Sequence, residues 1–139
     1  MYTVLLPLDS DEARARRQAE YVRNLPCAAD EVRAVLVHTM TKEERATPAE
    51  LQRADRIGTI QLATDLLDDA GIESEAQDIS HPPSEGILGI AAAEDVDEIV
   101  MGGRKRSPAE KAILGSVTQS VILDADVPVT VVGSGRSDR

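Results

Sequence analysis

The stretch EIVMGGRKRSPAEKAILGSVT, Glu98–Thr118, decides how the rest of the chain is read. It opens on a short apolar run, Ile99-Val100-Met101, that ends at Gly102-Gly103. A basic segment, Arg104-Lys105-Arg106, follows, and Gly115-Ser116 stand ahead of the next apolar stretch. The order is strand, glycine, loop, helix start. A glycine after a strand lets the backbone approach a ligand closely. Helix-initial N–H groups have no intrahelical acceptor, and together with the helix dipole they favour an anion. The unit therefore offers a phosphate site, with a basic surface turn as the plainer alternative.

Working outward, Val127–Val132 reads as a strand, and so does Val96–Met101. Between them a helix runs from the glycine loop through Val117, Val121 and Ile122 to about Asp124. Upstream, Pro83 or Ser84 starts a helix with Ile87, Ile90 and Ala91 inward, ending near Glu94-Asp95. Ile72–Ile79 alternates imperfectly and suits an exposed sheet edge. Thr47-Pro48-Ala49-Glu50 is a helix-start signature. That helix carries Leu51, Ala54, Ile57, Gln61 or Leu62, and Leu66 on one side and stops at Gly71. Glu31–Thr39 is a second strand, and Met40–Thr47 a loop.

At the N-terminus Thr3–Leu8 is an apolar run of the length expected for a strand buried on both faces. Pro7 cannot donate to a ladder, so it marks where that strand leaves the sheet. Asp9-Ser10 supply a helix cap, and the helix runs to about Asn24 on an inner face of Ala15, Ala19, Val22 and Tyr21. Leu25-Pro26 end it. Strands alternating with helices imply an α/β chain of parallel βαβ units with right-handed crossovers. In such sheets a ligand lies beyond the carboxyl ends of the strands, at the switch point in strand order. The ends of the first, second and fourth strands then converge on one crevice.

Composition narrows the function. The 139 residues suit one domain, with residues 1–133 as its body and 134–139 as a polar tail. There is no Phe or Trp, and Tyr2 and Tyr21 are the aromatic residues. That argues against a base-stacking platform. A formal charge of −10 argues against a nucleic-acid backbone as partner. Twelve of the fifteen basic residues are Arg, with Lys at positions 42, 105 and 111. An acidic surface with so few Lys suits a protein working in concentrated salt, where self-repulsion is screened. No apolar run reaches ~18 residues, so the chain reads as cytoplasmic with no membrane partner. Cys27 stands alone and is expected to be a small buried hydrophobe rather than a nucleophile. His38 is expected at the crevice mouth and His81 in a solvated loop. With no Cys partner and no ligand spacing they make no metal pair. Asp68-Asp69 and Glu43-Glu44 read as solvated faces.

With these residues in place, the chain resembles the universal stress protein family, from VLLPLDS through DEIVMGG to PVTVV. In nucleotide-binding members of that family the loop after the fourth strand reads Gly, two residues, Gly, nine residues, Gly, then Ser or Thr. Gly102 takes the first position here, and Gly115-Ser116 take the last two at the same spacing. Lys105 replaces the middle glycine, and its Cβ strains or re-routes the loop, while its ammonium can contact a phosphate. Ser107-Pro108-Ala109-Glu110 is a rival helix start. It would leave Gly115 inside a helix at a cost of about 1 kcal/mol, so the main helix is read from Gly115-Ser116.

The resemblance implies a Rossmann-like three-layer sandwich with a five-stranded parallel sheet, order 3-2-1-4-5, and four helices. It implies ATP as ligand, with Mg or Mn, and a regulatory or stress-response binding module. Pro7, Leu8 and Asp9 would line the ribose side, and Asp9 would accept from a ribose hydroxyl or hold the metal. Capping the helix is the plainer role for Asp9. Val37 would offer backbone groups to adenine. Gly102 and Gly115 would supply backbone N–H groups, Ser116 and Thr118 would add hydroxyls, Arg104 and Lys105 would contact phosphate, and Met101 and Val117 would complete the nucleotide site. The alternative within the family is a module without nucleotide that acts through a homodimer formed by the last strand, Val127–Val132. An enzyme is disfavoured beyond a slow ATPase. No base is positioned, and Gly102–Ser107 does not fit a GxxxxGK[ST] loop. A phospho-acceptor receiver is excluded because Asp9 lacks a clustered acidic partner.

Overall fold

The computed structural model describes residues 1–39, 49–103 and 115–133, without the side chains of 49–57. Along the chain run β1 (Tyr2–Leu8), α1 (Glu12–Arg23), α2 (Ala28–Glu31), β2 (Val32–His38), α3 (Ala49–Asp69), β3 (Glu73–Gln77), α4 (Pro83–Ala93), β4 (Glu98–Gly102), α5 (Ser116–Asp124) and β5 (Val129–Val132). All pairings are parallel, and the order is β3-β2-β1-β4-β5, as expected. The chain leaves β1 on one side and returns on the other after β3, which puts the switch point between β1 and β4.

Each face of the sheet has its own core. Val4, Leu6, Leu8, Ala34, Leu36 and Val100 meet Ala15, Ala19 and Val22 of α1 and Ala63 and Leu67 of α3. Leu5, Val35, Val37, Ile99 and Met101 meet Ile87 of α4 and Val121 of α5. Val4, Leu5, Leu6 and Leu8 are fully buried, as a central strand covered on both faces requires. β3 sits at the sheet edge with three of its five residues exposed. Gly71, at φ 75°, ends α3 where a left-handed residue is needed.

The described residues hold five helices rather than four. The extra one, α2, is a single turn of Ala-Ala-Asp-Glu, too short to display a helical period. It delays the start of β2 from Glu31 to Val32, because the Glu31 N–H still donates to the Cys27 carbonyl at 2.9 Å. Cys27 is exposed, not buried, and stands at φ 56° ahead of that turn. β3, β4 and β5 are also shorter than expected, while β1 begins one residue earlier, at Tyr2. β4 begins at Glu98 because the Asp97 carboxylate instead accepts the Thr3 N–H at 2.8 Å, and β5 begins at Val129, after Pro128. The helix-start signature at Thr47-Pro48 lies outside the described residues, and the helix is described from Ala49. His81 is exposed, in the turn that carries a cis His81–Pro82 bond.

Candidate functional site

Pro7 shapes the crevice. β1 pairs with β2 through Leu8↔His38, but with β4 only at Val4↔Glu98 and Leu5↔Ile99. Continuing the second ladder would need the N–H of residue 7 to donate to the Val100 carbonyl, and proline has none. Strand one therefore leaves the sheet on its β4 side alone. The missing donor comes from α1. Gln18 Nε2 donates to the Val100 carbonyl at 2.9 Å and to the Pro7 carbonyl at 2.8 Å. Gln18 is 1% exposed, so both bonds are dry. One side-chain amide thus holds the ends of β1 and β4 at the place where they part.

Asp9 follows at once. Its Oδ1 accepts the Asp11 N–H at 2.9 Å, and its Oδ2 accepts Arg14 Nε at 3.0 Å, with Arg14 Nη2 also at 3.0 Å. The helix cap is Asp11, not Asp9-Ser10, because Asp11 Oδ1 is the oxygen that accepts the Arg14 N–H, at 2.9 Å. Asp9 supports that cap from one residue further out. Gly102 lies against the same helix. A Cβ on it would stand 3.0 Å from Gln18 Oε1 and 3.2 Å from Arg14 Cδ. A side chain at the first motif glycine would thus press on Gln18 and Arg14 of α1.

The second strand closes the other wall. Thr39 N–H donates to the Leu8 carbonyl at 2.6 Å and ties the two strand ends together. Pairing of β2 with β3 stops at Val37↔Gln77, so beyond Val37 the second strand has a neighbour only on the β1 side. The Val37 side chain is core, at 0% exposure. His38 is buried at the same end.

Met101 is buried in the second core. The Gly103 N–H donates to the Val132 carbonyl at 2.7 Å, carrying the β4–β5 ladder one step past Gly102. Gly115 caps α5 at φ −66°, ψ 159°, and the helix begins at Ser116 as expected. Ser116 is exposed, Val117 packs on the second core and Thr118 is buried. Since α5 crosses back from the end of β4 to the start of β5, its N-terminus lies at the carboxyl edge. Arg104 and Lys105 lie outside the described residues. Arg14 and Gln18 were missed in the sequence. The available signal was a glutamine three residues after Ala15 on an apolar helix face.

A second polar cluster sits at the opposite edge. Glu98, 5% exposed, accepts from the hydroxyls of Tyr2 and Tyr21 at 2.9 Å each and from Thr130. Burial first, then the Glu98 carboxylate, pushes the Tyr2 phenol up to about 12. Tyr2 is 41% exposed overall, so this reflects its hydroxyl end rather than the whole ring. Burial raises Tyr21 as well, partly offset by its contact with Thr130.

A doubly wound parallel sheet, opened at its switch point by a proline and flanked by a glycine-capped helix, is an α/β fold of the kind whose ligands lie beyond the carboxyl ends of the strands. The model of the universal stress protein family matches residues 1–133, and the chain belongs to that family. It is similar to a universal stress protein from Archaeoglobus fulgidus, at TM-score 0.74 and 28% identity over 95% of this chain and 98% of that one. A universal stress protein from the same organism in complex with dAMP matches at TM-score 0.70 and 25% identity, over the same shares. In sequence it is 29% identical to a universal stress protein of Thermus aquaticus over 94% of this chain and 97% of that one. A universal stress protein of Methanocaldococcus jannaschii is 38% identical over 66 residues, which span 48% of this chain and 41% of that protein.

Proposed function

We propose that this protein is an adenine-nucleotide-binding regulatory module, with ATP in the crevice between the ends of β1 and β4. The observation that carries the reading is the parting of those strands at Pro7, beside the glycine-capped N-terminus of α5. Pro7, Leu8 and Asp9 would flank the ribose, and the free edge of β2 past Val37 would meet adenine. The first-turn N–H groups of α5, with the Ser116 and Thr118 hydroxyls, would face the phosphates. Met101, Gly102, Gly115 and Val117 would wall the phosphate side, and Arg104 and Lys105 would add positive charge. The dAMP-bound relative supports this choice of ligand class. The role proposed is binding, with at most slow ATP hydrolysis.

Calorimetry with ATP on nucleotide-free protein, beside Gly115→Asp, tests the reading. Asp is a favoured cap and tolerates that backbone conformation, so the variant should fold while its carboxylate repels phosphate. Binding by the wild type and loss in the variant support the reading; no binding by folded wild type overturns it.

A second reading, homodimerisation through the last strand, is favoured by one observation. Among the described residues β5 is a sheet edge, and on α5, which precedes it, Leu123 is 82% and Ile122 41% exposed. Sedimentation of Leu123→Glu against wild type tests it, and equal mass for both counts against that surface.

A further inference from the structure

We propose that the guanidinium of Arg14 takes the place of a divalent cation in this crevice, so that an adenine nucleotide binds here without metal. The inference rests on the nucleotide reading above and narrows it. The donor set at the end of β1 does not suit a magnesium ion. Asp9 Oδ1 holds the Asp11 N–H at 2.9 Å, and Asp9 Oδ2 holds Arg14 through Nε and Nη2 at 3.0 Å each. Asp11 Oδ1 caps α1, and its Oδ2 lies 3.5 Å from Arg14 Nη1. Two carboxylates therefore share one guanidinium, which stands where a bridging cation would.

Magnesium at nucleotide sites takes one or two carboxylates with phosphate oxygens and waters, and sheds its own water reluctantly. To reach Asp9 it would have to displace Arg14, whose stem is held against Gly102. Displacing it would break its bonds to both carboxylates and leave a second cation close to the arriving ion. Among the described residues no group of three or more His, Cys, Asp or Glu could hold a metal elsewhere. Arg14 also does for a phosphate what the metal would do, by neutralising carboxylates that would otherwise repel it. Unlike an ion, it is tethered to the chain and so is present at the site without being recruited from solution.

The test is calorimetric titration of ADP into nucleotide-free protein, once in excess Mg²⁺ and once in EDTA. Wild type, Arg14→Ala and Arg14→Lys are compared, with circular dichroism to confirm folding. Wild type should bind with dissociation constants within about twofold in the two buffers. Arg14→Ala should weaken by roughly tenfold or more in EDTA and recover in Mg²⁺. Arg14→Lys keeps the charge and should stay independent of metal. Mn²⁺ paramagnetic resonance on the wild type with ADP gives a separate measure: no protein-bound Mn²⁺ signal should appear. A wild type that needs Mg²⁺, or that binds Mn²⁺ with ADP, overturns the inference and leaves the nucleotide reading standing. Arg14→Ala binding equally in both buffers also overturns it. No ADP binding by wild type in either buffer defeats the nucleotide reading itself, and the inference with it.

Discussion

Gln18→Leu is the sharpest probe of how this crevice is held open. In the native protein one amide nitrogen, at 2.8 and 2.9 Å, satisfies the Pro7 and Val100 carbonyls. Leucine fills similar space with no donor, so both carbonyls lose that partner in a site that is 1% exposed. Leaving one buried carbonyl unsatisfied costs about 1–3 kcal/mol. Burying an apolar side chain in place of an amide recovers about 1–2 kcal/mol. With two carbonyls affected, the net loss is therefore about 1–4 kcal/mol, a fall in melting temperature of roughly 3–15 °C for a domain of this size. Urea unfolding followed by far-ultraviolet circular dichroism measures it, since the chain has no tryptophan. The companion Gln18→Glu should behave differently. Only its protonated carboxyl can donate to a carbonyl, so its folded pKa should rise. Its stability should then be best at low pH and fall as pH rises through that raised value. A loss under about 1 kcal/mol for Gln18→Leu at unchanged m-value would mean the carbonyls find other donors, and the clamp argument fails.

In Gly86→Ala the new Cβ would stand 2.2 Å from the Ser80 carbonyl oxygen. Since that neighbour is backbone, the turn must shift, and we expect a loss of about 1–3 kcal/mol in urea unfolding. Cys27→Gly relieves a left-handed residue and should leave stability unchanged or raise it by up to about 1 kcal/mol, by the same measurement. Tyr2 titrates near 10.0 when unfolded and is held protonated to about 12 when folded. Its contribution is therefore fully present below the unfolded value and lost as pH rises between the two. Urea midpoints across that range should fall, and Tyr2→Phe should flatten the fall. The charge of −10 predicts a melting temperature that rises with added salt up to roughly molar concentrations; a flat dependence sinks the salt-adaptation reading.

Much of this molecule was legible without coordinates. The helix start at Gly115-Ser116 emerged against a rival signal at Ser107-Pro108, because an interior Gly-Ser pair would weaken a helix. The exposed edge strand β3 was readable from its broken alternation. Pro7 was rightly taken as a ladder break, but a sequence cannot say on which side of a strand the break falls. The α2 turn and the left-handed Cys27 went unread because a single helical turn leaves no period.

The sequence by itself determined the βαβ alternation, the strand order through its family resemblance, and the glycines on either side of the loop after the fourth strand. Those features depend on periodicity, on chain-local backbone freedom and on fixed spacing, which are properties of neighbours along the chain. Only the tertiary structure decided what Asp9, Arg14 and Gln18 do. Gln18 bonds to a carbonyl 82 residues away on β4, and Arg14 gains its meaning from lying between two carboxylates and Gly102. Such roles arise when α1 docks across the switch point, where the donor that Pro7 lacks is supplied by a residue on another element.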